Sequence, residues 1–273
     1  MPNESKMFAS LLKYWRGKRG LSQLDLALKA DVSARHISFL ETGRSQPSEE
    51  MVLRLTDTLD LPLRERNNML REAGFADAFS EPELSALDDT GTRRVLELMM
   101  LQQEPYPLVV MDRWYNMVLA NQAAQWFIGA CFQERSAPMP EGPMNGVLAL
   151  FQEELLRPNV LRWEDAARQM LARLNRELLH RPNDEKLSKL LQQAVTAPGV
   201  PEDWRRPDPF QGDWAVIPVG FQLNGETFDF ITTLTVFSTP RNVTLQELQI
   251  ESYFPLNEES DEAWKRVRGA QGS

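Results

Sequence analysis

Apolar residues recur at helical spacing through the first 75 residues of the chain. The first predicted helix carries four of them on one face: Phe8, Leu11, Leu12 and Trp15. This helix ends at the breaker formed by Gly17 to Gly20. A fourth helix begins at Pro47-Ser48, and residues 63–73 form a fifth. The pattern therefore predicts an all-α bundle of short helices.

Two short helices lie between these and are separated by a tight turn. Ser22 is a natural cap for the second helix, where Asp25 completes a capping-box-like pattern, and Ser33 can cap the third. Gly43 ends the third helix. The apolar residues expected to pack across the turn are Leu24, Ala27 and Leu28 on the second helix and Ile37 and Leu40 on the third. The spacing predicts a helix-turn-helix.

Residues 93–273 alternate short apolar runs with amphipathic helices. A helix at 93–102 precedes two apolar runs that flank a polar turn at 112–115, and Asn121 can cap the helix that follows. Two longer amphipathic helices are expected at 163–179 and 185–195. Three further strands are expected at 214–223, 227–237 and 245–254. This order predicts a five-stranded antiparallel sheet with helices laid on it.

Between the two parts, apolar periodicity fades across residues 74–92 among Gly, Ala, Asp, Ser and Pro. We therefore expect an all-α domain at 1–75, a linker at 76–92 and a second domain at 93–273. Together they make a two-domain α+β protein.

Acidic residues are concentrated in the second part of the chain. The 273 residues carry a net charge of −9 at neutral pH. Through Phe75 there are 12 basic and 10 acidic residues, and the remainder holds 18 basic and 29 acidic residues. This difference in net charge indicates that the N-terminal part, called the head, binds an anion and that the rest of the chain forms an acidic domain.

Several classes of protein are disfavoured by composition. One cysteine and two histidines cannot make an intramolecular disulfide or a dedicated Cys/His zinc site. No catalytic motif is present, and Cys131 is more typical of a buried small residue than of a nucleophile. The N-terminus has no long apolar core, and the longest uncharged run, 116–133, is a poor membrane span. We expect a cytoplasmic protein with no catalytic residues, metal, cofactor or membrane partner.

The run LSQLDLALKADVSARHISFLETGRSQPS, residues 21–48, resembles the Cro/C1-type (XRE family) helix-turn-helix of phage repressors and many bacterial regulators. The resemblance implies a lambda-repressor-like fold that binds a double-stranded DNA operator. Asp31 stands where the family usually has Gly in the turn. Asp tolerates left-handed dihedral angles better than most residues, so the expected local cost is small.

The third helix is expected to lie in the major groove, where Arg35 is the best candidate for bidentate readout of guanine. Gln23 matches the family position that contacts the phosphate backbone, and Arg44 resembles part of a second phosphate clamp. The whole predicted DNA-binding set is Gln23, Ser33, Ala34, Arg35, His36, Ser38, Arg44 and Ser45. For His36, an exposed side chain without a base contact is the alternative. The small charge of the head predicts a homodimer on half-sites roughly 34 Å apart.

Four runs in the second part resemble the MmyB-like ligand-binding domain: PLVVMDRWYNMVLANQAA, NVLRWEDAARQML, HRPNDEKL and TLTVFSTPRNVTLQELQIESYFPLNEE. Their order of strands and helices is PAS-like. In that family the sheet and helices enclose an apolar pocket, and a bound fatty acid has been seen. The resemblance implies a sensor of a small hydrophobic, fatty-acid-like molecule.

The residues predicted to bind the ligand combine aromatic rings with polar groups: Arg113, Trp114, Asn121, Trp163, Phe230, Thr233, Thr235, Phe237 and Tyr253. For each aromatic residue the alternative is an ordinary core position, because an aromatic side chain at strand or helix spacing normally fills interior volume. Arg113 is either a turn charge or a partner for a ligand carboxylate.

The two resemblances together imply a dimeric transcription regulator whose ligand changes the geometry of the paired heads through residues 74–92. The alternative is a DNA-binding regulator controlled by a protein partner, antitoxin-like or polymerase-contacting, with no small-molecule ligand. Enzymatic activity is not expected.

Overall fold

The computed structural model describes residues 4–83, 91–181, 184–205 and 218–269. The chain divides into two compact units. The first comprises Met1–Leu87 together with Phe237–Gln246, and the second comprises Asp88–Val236 and Glu247–Ser273. A segment from late in the chain therefore belongs to the first unit.

Five helices form the N-terminal part of the first unit, as the sequence predicts. They are α1 (Glu4–Lys18), α2 (Gln23–Lys29), α3 (Ala34–Glu41), α4 (Glu49–Thr58) and α5 (Leu63–Glu72). Their shared core includes Leu12, Leu26, Ile37, Leu40 and Leu55, each with no exposed surface. Burial of these side chains, at about 25 cal/mol per Å² of apolar surface, fixes α2 and α3 against the other helices.

The predicted helix caps of the first unit are present. The Ser22 hydroxyl accepts a hydrogen bond from the Asp25 backbone N–H at 3.1 Å, and the Asp25 carboxylate accepts from the Ser22 N–H at 2.8 Å. Ser33 accepts from the His36 N–H at 3.1 Å. Asp31 has φ 54°, the left-handed conformation expected for the turn. Local sequence therefore determines where α2 ends and α3 begins.

The predicted apolar face of α2 is wrong in part. Leu24 and Leu28 are 58% and 72% exposed, whereas Leu26 and Ala27 are buried. Seven residues make only two helical turns, so the four apolar residues of α2 define no single period. Packing against α3 decides which of them enter the core.

The second unit contains a six-stranded antiparallel sheet in the order β2-β1-β6-β5-β4-β3. The strands are β1 (Leu108–Met111), β2 (Met117–Ala120), β3 (Val160–Leu161), β4 (Val219–Leu223), β5 (Glu226–Thr235) and β6 (Gln249–Pro255). The prediction of five strands is wrong because β3 was missed. Its two residues carry no alternation, and they pair with Phe221 and Gly220 of β4.

Seven further helices are present in the described residues: α6 (Thr92–Gln103), α7 (Gln122–Glu134), α8 (Gly146–Phe151), α9 (Trp163–His180), α10 (Glu185–Val195), α11 (Val243–Glu247) and α12 (Glu258–Gly269). The sequence did not predict α8 or α12. Helix α11 occupies the start of the strand expected at 245–254, which begins only at Gln249. Of the strand expected at 214–223, residues 214–217 lie outside the described residues.

Aromatic packing holds α12 against the sheet. Trp264 has no exposed surface, and its ring lies edge-on to Phe228 and Phe230 with centroids 5.5 and 5.3 Å apart. A second cluster joins Val109 and Tyr115 to Leu171 and other buried residues of α8, α9 and α10. Both clusters contribute residues to the lining of a cavity.

Residues 237–246 pack within the first unit. Val243 is 1% exposed, and its backbone N–H donates to the Ser80 carbonyl at 2.9 Å. The Thr244 hydroxyl donates to the Pro82 carbonyl at 2.6 Å, and the Gln246 amide oxygen accepts from the Leu63 N–H at 2.6 Å. The connection from β5 to β6 is therefore part of the helical unit rather than of the sheet unit.

Candidate functional site

One side of α3 packs into the core, and the other side presents polar side chains from its first turn. Ile37 and Leu40 have no exposed surface, whereas Ser33 and Arg35 are exposed and Ala34, His36 and Ser38 are half-buried. The Arg35 guanidinium lies over the Phe39 ring, 5.1 Å from its centroid, and makes no hydrogen bond with the described residues. Its N–H donors are therefore oriented and available.

Gln23, the first residue of α2, belongs to a buried polar network. Its side-chain amide donates to Glu41 Oε2 at 2.7 Å. Glu41, whose side chain is 3% exposed, also accepts from Arg16 Nε at 2.6 Å and from Arg16 Nη2 at 3.0 Å. The Glu41 hydrogen bond raises the pKa of Arg16. The network fixes Gln23 and leaves its second amide N–H available for a phosphate.

No local sequence pattern pointed to Arg16 and Glu41. They lie 25 positions apart, and a charged pair at that separation follows no local pattern. Arg44 and Ser45 lie beyond the opposite end of α3, in the loop after Gly43, whose φ is 68°. At a rise of about 1.5 Å per residue, the predicted DNA-binding set extends along the whole of α3, roughly 12 Å.

The second unit contains a partly open cavity of about 520 Å³. Residues from all six strands and from α7, α8 and α9 line it. Apolar side chains cover most of its surface: Val109, Met111, Met117, Phe127, Ile128, Met144, Leu150, Leu156, Val160, Met170, Val219, Phe221 and Phe230. The four methionines give these walls adaptable, polarisable surfaces.

Tyr115 and Gln169 also line the cavity, and a polar cluster forms around Glu251, on which Arg173, Thr232 and Tyr253 act. Arg173 and Arg176 come from α9, Thr232 from β5, and Glu251 and Tyr253 from β6. Arg173 Nη2 donates to Gln249 Oε1 at 2.7 Å, and its Nε donates to Glu177 Oε1 at 3.4 Å. The cavity thus combines an apolar body with one charged end.

Burial changes the titration of this charged end. It raises the pKa of Glu251, while Arg173 acts in the opposite direction. Burial and the neighbouring Glu251 also raise the pKa of Tyr253. Tyr115 donates its hydroxyl proton to Glu177 Oε1 at 2.6 Å, and burial raises its pKa as well. Both tyrosines are therefore neutral hydrogen-bonding groups near neutral pH.

Two of the nine residues predicted to bind the ligand, Phe230 and Tyr253, line the cavity. Thr233 and Thr235 do not, because side chains alternate along β5 and it is Thr232 that faces inward with Phe230. Phe237 lies in the first unit.

The other four predicted residues do not line the cavity, and each has a structural partner. Arg113 pairs with Asp184 and Glu247, each at 2.5 Å, and Trp114 Nε1 donates to Asp184 Oδ1 at 3.0 Å. Asn121 caps α7 by accepting from the Ala124 N–H at 2.9 Å, as predicted. Trp163 Nε1 donates to the Leu150 carbonyl at 2.6 Å.

A sequence signal existed for the arginines that were missed. Ala166, Met170 and Arg173 follow the spacing of one face of α9, and Arg176 continues it. A charged residue within an apolar stripe indicates a polar group directed at the interior. The inward position of Glu251 depends on the register of β6, which the sequence did not define.

The part of the chain that the structure describes contains neither a candidate metal site nor a candidate membrane span. Those residues contain no group of three His, Cys, Asp or Glu side chains placed to hold a metal ion. None of the described helices is long and apolar enough to cross a membrane. Burial raises the pKa of Cys131 to about 12, so its thiol is protonated at neutral pH and is a weak nucleophile.

A helix-turn-helix unit joined to an α/β unit with a largely apolar cavity defines a DNA-binding regulator with a ligand-binding domain. Residues 92–266 match the family described as MmyB-like transcription regulator ligand binding domain, and residues 12–66 match the helix-turn-helix family. The chain therefore belongs to the MmyB-like transcription regulators, and both resemblances found in the sequence are confirmed.

Other comparisons add little. The chain is similar to the clp gene regulator ClgR from Corynebacterium glutamicum, with 20% identity over 37% of this chain and 95% of that chain. The TM-score of 0.23 is too low to support a structural argument. A search of the curated proteins found no match.

Proposed function

We propose that the protein is a sequence-specific, homodimeric transcription regulator whose DNA affinity depends on a small hydrophobic, fatty-acid-like ligand. The observation that carries the proposal is the cavity of about 520 Å³, apolar except at one charged end, in a chain that also holds a helix-turn-helix. The sheet flanked by helices supports a PAS-like description of the second domain. The domain limits of 1–75 and 93–273 stay predictions.

The DNA-binding part of the proposal rests on α2 and α3. Arg35 reads a base, and Gln23, fixed by Glu41, donates to a phosphate. Ser33, Ala34, His36 and Ser38 lie along the same helix, and Arg44 with Ser45 completes the set at its far end. One head with so little positive charge binds weakly, and this favours two heads on a two-fold operator.

The ligand-binding part rests on the composition and shape of the cavity. An apolar chain would replace water along walls built from methionine, phenylalanine and branched aliphatic residues. The charged end would fix the orientation of a ligand that carries one polar group. Both features match an amphiphile with a single head group.

The signal passes from the cavity to the first unit through the covalent connections of the chain. Thr232 of β5 and Glu251 of β6 line the cavity, and the segment that joins these two strands belongs to the first unit. A ligand that shifts either strand would act on the ends of residues 237–246, in addition to the linker at 76–92. The change in operator affinity is limited by the difference in ligand affinity between the two states.

The decisive experiment identifies the occupant and then tests it on DNA. Native mass spectrometry and solvent extraction of freshly purified protein would reveal a bound amphiphile. Operator affinity would then be measured with and without that molecule. An empty cavity, together with operator affinity unchanged by every apolar candidate, would contradict the sensor proposal.

Control by a protein partner is a second candidate, favoured by one observation. Leu24 and Leu28 lie one helical turn apart on α2 and are 58% and 72% exposed. Copurification of a protein that is lost in the L24S/L28S variant, while the cavity stays empty, would support this candidate over the sensor.

A further inference from the structure

The connection between β1 and β2, residues 112–116, holds a buried cation. Arg113 is 6% exposed. Its Nη2 donates to Asp184 Oδ2 and its Nη1 donates to Glu247 Oε1, each at 2.5 Å. Its Nε makes no hydrogen bond with the described residues, and its guanidinium carbon lies 5.2 Å from the centroid of the Trp114 ring. The two carboxylates therefore fix the position of this guanidinium.

These two carboxylates belong to different elements of the second unit. Asp184 caps α10 by accepting from the Leu187 N–H at 3.1 Å, and it also accepts from Trp114 Nε1 at 3.0 Å. Glu247 ends α11 and is the first residue after the segment 237–246, which packs within the first unit. One arginine side chain thus ties the β1–β2 connection both to α10 and to the residue at which that segment ends.

The β1–β2 connection also reaches the cavity, because Tyr115 lines it. Tyr115 adopts φ 66°, a conformation that a bulky residue keeps only when its surroundings hold it there. The Asp112 carboxylate closes the turn by accepting from the Trp114 N–H at 2.8 Å and from the Asn116 N–H at 2.9 Å. A turn closed in this way moves as one piece, so a displacement of Tyr115 is carried to Arg113, two residues earlier.

We propose that the ion pair between Arg113 and Glu247 is the contact that couples occupancy of the cavity to residues 237–246, and through them to the DNA-binding unit. An occupant that packs against Tyr115 holds the β1–β2 connection in place, and Arg113 in turn holds Glu247 at the end of the segment. Arg113 is a positioning residue in this role, since it does not line the cavity. This inference rests on the proposed function, and it adds the residue pair through which the cavity acts on the segment.

The burial of the pair suits it to this role. The side chains of Arg113 and Glu247 are 7% and 19% exposed, so solvent and salt screen their attraction much less than that of a surface pair. Loss of the only partner of a buried charge is strongly destabilising. Here Asp184 remains as a counter-ion when Glu247 is neutralised, and Glu247 remains when Asp184 is neutralised. The two carboxylates can therefore be removed one at a time and compared.

Hydrogen–deuterium exchange of the full-length protein, with and without decanol, tests the coupling. Decanol serves as an uncharged apolar probe of the cavity. In wild type it should slow exchange in the strands that line the cavity. It should also slow exchange at the amides of Leu63 and Val243 by about fivefold or more, the lower end of the usual coupling between two sites. These amides donate to the Gln246 side chain and to the Ser80 carbonyl, so they report on the segment 237–246.

The E247Q variant keeps a side chain of similar shape and removes its charge. It should abolish the slowing at the amides of Leu63 and Val243 and leave the slowing in the cavity strands intact. The matched control is D184N, which removes the other carboxylate from the same guanidinium, and whose amide oxygen can still cap α10. D184N should keep the wild-type slowing at both amides. Because each variant is compared with and without decanol, a simple loss of stability does not mimic this pattern.

Equal slowing at the two amides in E247Q and wild type, or equal loss in D184N and E247Q, would overturn the inference and leave the sensor proposal intact. Slowing confined to the cavity strands of wild type would do the same. If E247Q does not fold, R113M/E247Q replaces it, because that variant leaves no buried cation short of a counter-ion, and it should lose the slowing in the same way. Absence of any slowing in the cavity strands of wild type would overturn both proposals.

Discussion

Two exposed arginines lie at opposite ends of α3, and their surroundings suit them to different contacts with DNA. Arg35 lies in the first turn, where its guanidinium stacks on Phe39 and is directed by that ring. Arg44 lies in the loop beyond the last turn, without a comparable contact among the described residues. An oriented guanidinium is suited to read a base edge, and an unoriented one is suited to meet a phosphate.

Replacement of each arginine by alanine should separate these roles. R35A should weaken binding to the cognate operator by about 1–3 kcal/mol and relax discrimination at one base pair. R44A should weaken binding to all sequences alike and reduce the salt dependence by about one phosphate contact per head. Fluorescence anisotropy with cognate and single-substitution operators, at several salt concentrations, measures both effects. Identical profiles for the two variants would contradict the assignment.

At the scale of elements, the turn between α2 and α3 carries a conformational cost. Asp31 adopts φ 54°, a region that disfavours residues with a side chain and that glycine enters freely. The turn is nevertheless well determined, because the Val32 N–H donates to the Ala27 carbonyl at 2.9 Å and Ser33 caps α3. The hydrogen bonds of the two flanking helices therefore hold Asp31 in this unfavourable backbone conformation.

Glycine at this position should relieve the strain. D31G is expected to stabilise the first unit by about 0.5 kcal/mol, because relief of the left-handed conformation outweighs the greater entropy of glycine in the unfolded chain. The comparison variant is D57G in the last turn of α4, where glycine relieves no left-handed strain and the ion pair with Arg66 is lost, so it should destabilise by about 1 kcal/mol. Urea unfolding measures both variants, and a loss of stability in D31G would contradict the interpretation.

The caps of this region were predictable because each involves residues three positions apart. Ser22 with Asp25 and Ser33 with His36 are local contacts, and the structure contains both. The burial and direction of a side chain that depend on residues distant in sequence were not predictable from local patterns. Leu28 was placed in the core, and Thr233 was chosen where Thr232 faces the cavity, since packing against other elements decides each case.

The candidate ligand site was the least accessible part of the molecule to sequence reasoning. The family resemblance supplied the existence of a cavity, but its charged end requires α9 and β6 to be side by side. Arg173 and Glu251 are 78 positions apart in the chain, and their proximity depends on the order of strands in the sheet. Arg113, for which a turn charge and a partner of a ligand carboxylate were both open, forms ion pairs with Asp184 and Glu247 instead.

At the scale of the whole molecule, the charge division has a consequence for DNA binding. The first 75 residues carry 12 basic and 10 acidic residues, and the rest of the chain is strongly acidic. We therefore expect weak non-specific attraction to DNA, and the homodimer that we propose would depend on specific contacts made by its two heads together.

The stability of the helical unit should depend on residues far along the chain. V243A removes buried methyl groups from the first unit and should lower its free energy of unfolding by about 1–2 kcal/mol. The control is V236A, at a position that is 56% exposed, where little change is expected. Thermal unfolding followed by circular dichroism compares them. Equal melting temperatures for the two variants would argue against a structural role for the segment.

The course of the chain through residues 237–246 also limits how such a regulator can be rearranged. A DNA-binding head exchanged by a single cut in the linker would arrive without Val243, which is buried and donates to the Ser80 carbonyl, and without Gln246, which accepts from the Leu63 N–H. The recipient sheet would in turn keep a β5–β6 connection whose residues pack against a different head. Recombination of heads and sensors in this protein therefore requires two exchanges, at the linker and at residues 237–246, for the hybrid to keep both cores filled.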